Sequence, residues 1–253
     1  MILKTNEELV SGLNAVLQII LTRPKSVNSL FLGNEPNTRV KSVVKEAEKN
    51  KITIHKENSD FFDENFKDVN HQNIAIKCNK RSEESEKFLN TIIDRTELKI
   101  LILDGISDPH NLGACLRSAA ASDVDAVIVP KNRSCHLTPT VRKISCGASE
   151  LIPFIIVTNI VRTINLLKEN GVMVFGSDIQ AKDLHDQVEF TRKNALIVGS
   201  EDKGMRRLTK ENCDKLIRIQ MSDKMDSLNA SVSAGILLFE ISRQNRINSL
   251  QIE

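Results

Sequence analysis

From residue 99 onward the chain returns repeatedly to short runs that are apolar at almost every position: KILILD, DAVIVP, VMVFGSD, NALIVGS and KLIRIQM. A strand with one wet face alternates apolar and polar residues. Near-continuous apolar character instead predicts strands covered on both faces, the condition of a parallel sheet with helices packed on either side. Segments with helical spacing separate the runs, as in strand–helix–strand units. The last of them, from about Ser227 to Gln244, is rich in Ala, Ser and Gly, so a neighbouring backbone can approach it closely.

A length of 253 residues leaves room for a smaller domain ahead of this sheet. Residues 6–22 carry Leu9, Leu13, Val16, Leu17, Ile20 and Leu21 at helical spacing and predict one helix ended by Pro24. VNSLFLG, KITIHK and NIAIKC predict strands, with a helix over about 38–50 and a short one near DFFDENF. The expected division is a small α/β domain over 1–80, a charged linker over 81–98 leading into a short helix, and the parallel-sheet domain over 99–253.

No run approaches the ~20 apolar residues of a membrane-spanning helix. The opening MILKTNEELV lacks the basic and apolar regions of a secretion signal. A soluble, cytoplasmic protein with no membrane partner is expected. The five cysteines form no Cys-x-x-Cys pair, and Cys135-His136 has no second ligand pair at metal-site spacing, so neither disulfides nor a metal are expected. A net charge of +2 argues against indiscriminate nucleic-acid binding but leaves room for a local patch. No acidic residue falls between Ala126 and Ser149, an interval that holds Lys131, Arg133, Arg142 and Lys143 as candidate phosphate contacts. The alternative is a solvated basic loop. Without Trp or Tyr a base-stacking platform is not expected, and RNA would be read through backbone and shape.

Neither the dinucleotide fingerprint G-x-G-x-x-G nor the phosphate loop G-x-x-x-x-G-K-[ST] is present. Polar groups cluster instead at three strand ends, DPHNLGACLR, VGSEDKGMRRL and IQMSDKMDSLNASVSAG, and ligands bind at the carboxyl ends of parallel strands. Asn111 can cap a helix starting at Leu112. Arg117 stands beside a stripe of Leu112, Leu116 and Ala120, where it either holds a phosphate in its fork or pairs with Asp104 or Asp108. Gly199 and Gly204 flank Glu201 and permit close backbone approach. Ser227, Leu228 and Asn229 open the final helix, and capping accounts for only one of the two polar residues.

DPHNLGACLRSA, GMRRLT and SLN together resemble the three motifs of the SPOUT superfamily of RNA methyltransferases, in its TrmH branch, over residues 99–244. SGLNAVLQII and VNHQNIAIK are similar to that family's substrate-binding domain, whose fold is like ribosomal protein L30e. The resemblance implies methyl transfer from S-adenosylmethionine to a ribose 2′-hydroxyl, in the manner of the bacterial enzymes that modify guanosine in 23S ribosomal RNA. It also implies a trefoil knot in the last third of the chain and a homodimer. On this resemblance Asn111, Arg117, Glu201, Ser227 and Asn229 serve the reaction, and Gly199, Ile219, Met221 and Leu228 hold the methyl donor, with no metal. The alternatives are a transfer RNA substrate and a non-catalytic RNA-binding protein on the same fold. The chain departs from the family where Ile-Pro-Met and a glycine are usual, having Ile219, Gln220, Met221, Ser222 and Asp223.

Overall fold

A computed structural model of the chain describes residues 3–33, 38–67 and 70–250. It contains two compact units, Met1–Ser82 with Pro139–Leu151, and Glu83–Thr138 with Ile152–Glu253.

The first unit runs through β1 (Glu7–Ser11), α1 (Leu13–Thr22), β2 (Val27–Leu32), α2 (Thr38–Lys49), β3 (Thr53–Lys56), α3 (Ser59–Asn65) and β4 (Ile74–Asn79). The strands order as β1-β4-β2-β3; β4 is antiparallel to both its neighbours and β3 is parallel to β2. One sheet face packs Leu30, Ile74 and Ile76 with Val16, Ile19, Ile20, Val40 and Val43 of α1 and α2. The other packs Phe31 and Ala75 with Phe62 and Phe66 in and beside α3. The single helix expected over 6–22 is a strand followed by a shorter helix. Gly12, with φ of +96°, turns the chain between them in a conformation that favours glycine. Leu9 and Val10 then face opposite sides of the sheet, a period of two that the helical spacing of the later residues masks.

The second unit holds β5 (Glu84–Ser85), β6 (Leu98–Asp104), α4 (Pro109–Ala121) and β7 (Ala126–Pro130). The chain then leaves for α5 (Pro139–Ile144) and α6 (Ala148–Leu151), which belong to the first unit. It continues with β8 (Phe154–Val157), α7 (Ile160–Glu169), β9 (Met173–Ser177), β10 (Asp183–Leu184), β11 (Lys193–Gly199), α8 (Arg207–Asn212), β12 (Lys215–Arg218) and α9 (Ala230–Leu250).

The strands form one sheet in the order β10-β12-β9-β11-β6-β7-β8-β5, parallel at every pairing, as the apolar runs predict. β6 is buried along its whole length between β11 and β7. Within residues 81–98, β5 extends the sheet beside β8, and Leu89, Ile92 and Ile93 enter the main core. The small residues of α9 let it lie close to α4: a Cβ added at Gly235 would stand 3.3 Å from Ser118 Oγ.

Candidate active site

The carboxyl ends of β9, β11 and β12 open onto a cavity of about 330 Å³. Its form depends on Gly199, the last residue of β11. A Cβ there would stand 2.1 Å from Gly204 C and from Met205 N, so the loop can fold back onto the strand end only over a glycine. The Gly204 N–H donates to Ser200 O at 2.8 Å, closing the turn, and Gly204 itself has φ of +63°.

Glu201, carried on this loop, gathers the other two strand ends. The α4 helix begins at Pro109, and Asp108 rather than Asn111 caps it, accepting from the His110 N–H at 3.0 Å. Asn111 therefore sits in the first turn, 8% exposed, and donates through Nδ2 to Glu201 Oε2 at 2.9 Å. Asn229 Nδ2 donates to Asn111 Oδ1 at 2.9 Å and also to Glu201 Oε1. The Ala230 N–H donates to the same carboxylate oxygen at 3.2 Å. Asn229 Oδ1 accepts from the Ser231 N–H at 2.9 Å, so one side chain both caps α9 and ties it to the other loops. Three segments distant in sequence thus share one carboxylate.

Gly199, Ile219, Met221 and Leu228 all line the cavity, as do Glu201 and Ser227. Asp178 and Lys210, neither among the residues expected from the sequence, line it too and pair at 2.5 Å. The one available signal is that VMVFGSD ends on an acid at the carboxyl end of a strand. The cavity's size falls within the roughly 300–1,000 Å³ of small-molecule sites. Walls that mix apolar side chains (Val198, Met205, Ile219, Leu228) with carboxylates (Asp178, Glu201) and cations (Lys203, Arg218) suit a ligand that combines apolar surface with charges of both signs, as S-adenosylmethionine does. Burial, reinforced by Glu201, pushes the neighbouring Cys115 thiol up to about 12, which removes it as a nucleophile. Among the described residues no group of His, Cys, Asp and Glu is gathered as a metal centre.

Arg117 lies apart from this network. It is exposed, and among the described residues it has no hydrogen-bond or ion-pair partner. Asp108 is occupied as the helix cap and Asp104 pairs with Arg206, so neither acid takes Arg117. Six residues of helix place it roughly 240° around and about 9 Å along the axis from Asn111.

The four candidate phosphate contacts separate. Lys131 and Arg133 are exposed on the loop after β7 in the second unit. Lys143 is half-buried in the first unit. Arg142 is not a surface cation: it is 3% exposed, with Nε 3.3 Å from Glu8 Oε2 and Nη1 2.9 Å from Glu150 Oε1. Its interval is acid-free in sequence, but folding brings it carboxylates from β1 and α6.

A parallel α/β sheet whose strand-end loops join through one carboxylate beside a cofactor-sized cavity defines an enzyme domain with its site at a single sheet edge. Residues 99–239 match the SpoU rRNA methylase family, and residues 9–84 match the family of RNA 2′-O ribose methyltransferase substrate-binding domains. The chain is 41% identical over 239 residues to the 23S rRNA (guanosine-2′-O-)-methyltransferase RlmB of Pectobacterium atrosepticum, spanning 94% of this chain and 98% of that one. It is 40% identical to RlmB of Escherichia coli over the same shares of the two chains. Its fold is similar to that of the SpoU methyltransferase AviRb of Streptomyces viridochromogenes, solved in complex with AdoMet, with a TM-score of 0.79 at 19% identity over 95% of this chain and 91% of that one. The chain belongs to the SpoU rRNA methylase family.

Proposed function

We propose that the protein transfers a methyl group from S-adenosylmethionine to the 2′-hydroxyl of a guanosine in 23S ribosomal RNA. The observation that carries this reading is the Asn111–Glu201–Asn229 network beside the cavity, in a chain of the SpoU family that is about 40% identical to enzymes named for that reaction. Gly199, Ile219, Met221 and Leu228 would hold the donor, which supplies an electrophilic sulfonium methyl when bound.

The rest falls to the chain's own side chains. A ribose hydroxyl is a poor nucleophile until its proton leaves or its developing charge is stabilised. A guanidinium is permanently protonated, so Arg117 acts best by holding the adjacent phosphate and stabilising the alkoxide rather than as a base. Asn111, Ser227 and Asn229 orient the ribose, and Glu201 holds the two asparagines in register. The first unit docks the RNA, in keeping with its family match. Lys131, Arg133 and Lys143 add phosphate contacts.

The reading includes a homodimer, a trefoil knot in the last third of the chain and a cytoplasmic site of action. Supporting the dimer, Val232, Ile236 and Phe239 are 47%, 37% and 49% exposed along one stripe of α9, beside the helix that carries Arg117. A catalytic role is favoured over a purely RNA-binding one because the unusual loop of Gln220, Ser222 and Asp223 still leaves Ile219, Met221 and Leu228 on the cavity wall. Mapping ribose methylation across ribosomal and transfer RNA in cells lacking the gene tests the proposal. Loss of one guanosine methylation in 23S RNA is expected, loss confined to transfer RNA transfers the activity there, and an unchanged map overturns it.

A further inference from the structure

Asp104 is the last residue of β6 and lies in register with Gly199, where the cofactor-side loop begins. Its side chain is wholly buried. A buried carboxylate is costly unless it is paired, and among the described residues the groups that hydrogen-bond or ion-pair with it come from Arg206 alone. The Arg206 backbone N–H donates to Asp104 Oδ2 at 2.9 Å, and Arg206 Nε stands 3.4 Å from Oδ1. Among the described residues nothing donates a hydrogen bond to that Oδ1.

The Arg206 side chain is 44% exposed. Its Nη2 donates at 3.4 Å to the carbonyl of Asn132, the residue between exposed Lys131 and Arg133. Among the described residues Nη1 has no partner. The stretch that holds these two residues has no acid in sequence, so three cations meet at one loop. A salt bridge with a purely structural role would engage both carboxylate oxygens closely. Here the guanidinium is stretched between two weak contacts, with half of its fork open to a phosphate.

We propose that Arg206 binds an RNA phosphate together with Lys131 and Arg133, and that Asp104 is the positioning residue that presets its guanidinium while anchoring the end of the cofactor-side loop. The inference rests on the RNA-methylating reading and adds to it a residue of the GMRRLT segment that no role above has taken. Through one carboxylate, the backbone of residue 206 fixes the loop that shapes the cavity and its side chain faces the substrate.

The two attachments separate by substitution of the full-length protein. Arg206→Ala keeps the backbone N–H, so calorimetric binding of S-adenosylmethionine should stay within about twofold, whereas the KM for RNA should rise roughly tenfold with kcat little changed, and the salt slope of RNA binding should become shallower by about 1. Arg206→Lys should restore the slope, since it restores the charge, but only part of the affinity. Asp104→Asn retains an acceptor for the N–H and should leave donor binding intact while weakening RNA binding less than Arg206→Ala does. Asp104→Ala should lose both. An unchanged salt slope and KM in Arg206→Ala overturn the proposal and leave a surface salt bridge. The binding series needs no turnover, so a wild-type protein that binds structured RNA without methylating it would refute the methyltransferase reading while this inference is still decided by the slope.

Discussion

Arg117 and Arg142 were both candidate phosphate ligands by residue type, and their surroundings divide them. Arg117 is an exposed guanidinium without a partner among the described residues, so Arg117→Ala should leave folding and donor binding unchanged and lower methyl transfer by about 100-fold or more, the loss typical of a positioned electrostatic group. Arg117→Lys should recover little, because an ammonium cannot reproduce a bidentate fork. Near-normal turnover in either variant removes it from the mechanism. Arg142 sits between Glu8 and Glu150, with Arg23 Nε also 2.7 Å from Glu150 Oε2. Removing one member of such a buried network strands the carboxylates, so Arg142→Ala should destabilise the first unit by about 3–5 kcal/mol. Denaturant unfolding measures the loss, and an unaltered midpoint would show that the pairs contribute nothing. The cysteines sort by the same principle. Burial pushes the Cys78, Cys115 and Cys213 thiols up to about 12, and Cys135 is also raised. Cys146 is exposed. At about pH 8 an alkylating reagent should modify Cys146 first, half-buried Cys135 and Cys213 more slowly, and buried Cys78 and Cys115 only after denaturation, as peptide mass spectrometry would show.

At the level of the elements, close packing separates two glycines that look alike in sequence. A methyl group at Gly199 would meet backbone atoms of Gly204 and Met205 that cannot move without opening the loop, whereas at Gly235 it meets only a serine hydroxyl at 3.3 Å. Gly199→Ala should therefore abolish measurable donor binding in a protein that still unfolds cooperatively, and Gly235→Ala should change donor affinity less than about threefold. Equal effects would mean that the loop is not what shapes the cavity. What the sequence discloses follows the range of the interaction involved. The central strands were readable because burial on both faces leaves a local signature, and the loops bearing Asn111, Glu201 and Asn229 because polar residues stand out after such strands. β1 was not, since a single Gly12 turns the chain and its five residues disappear into the spacing of the helix behind them. The role of Asp108 as cap was legible in the proline after it, which is favoured at the first helical position, whereas the burial of Arg142 was hidden because its acids lie 134 positions before and 8 after it in the chain. Asp178 and Lys210 meet only because β9 and α8 converge on one cavity. No local pattern encodes such a meeting.

For the whole molecule the open question is where Arg117 acts. Within one chain it lies on a different side of α4 from Asn111, outside the hydrogen-bonded network it is proposed to serve. The apolar stripe of Val232, Ile236 and Phe239 runs along α9, which packs on α4, so a second copy docked on that stripe would lie against the pair of helices to which Arg117 belongs. A symmetric pair of this kind would bring each Arg117 toward its partner, because a two-fold interface repeats every contact in both directions. We predict that each active site takes Arg117 from the other protomer. Arg117→Ala and Glu201→Ala chains, each inactive as a homodimer, can be co-expressed with different tags and the mixed dimers isolated after sedimentation has established the dimer. If Arg117 is supplied across the interface, one site in each mixed dimer regains both an intact Glu201 and the other chain's Arg117. An unfractionated mixture should then show about a quarter of wild-type turnover, and the purified mixed dimer about half. If Arg117 serves its own chain's site, every site in the mixed dimer lacks one residue or the other, and turnover stays at the level of the single variants. That result would place the guanidinium in its own protomer's site and require α4 or the Arg117 side chain to rearrange when RNA binds.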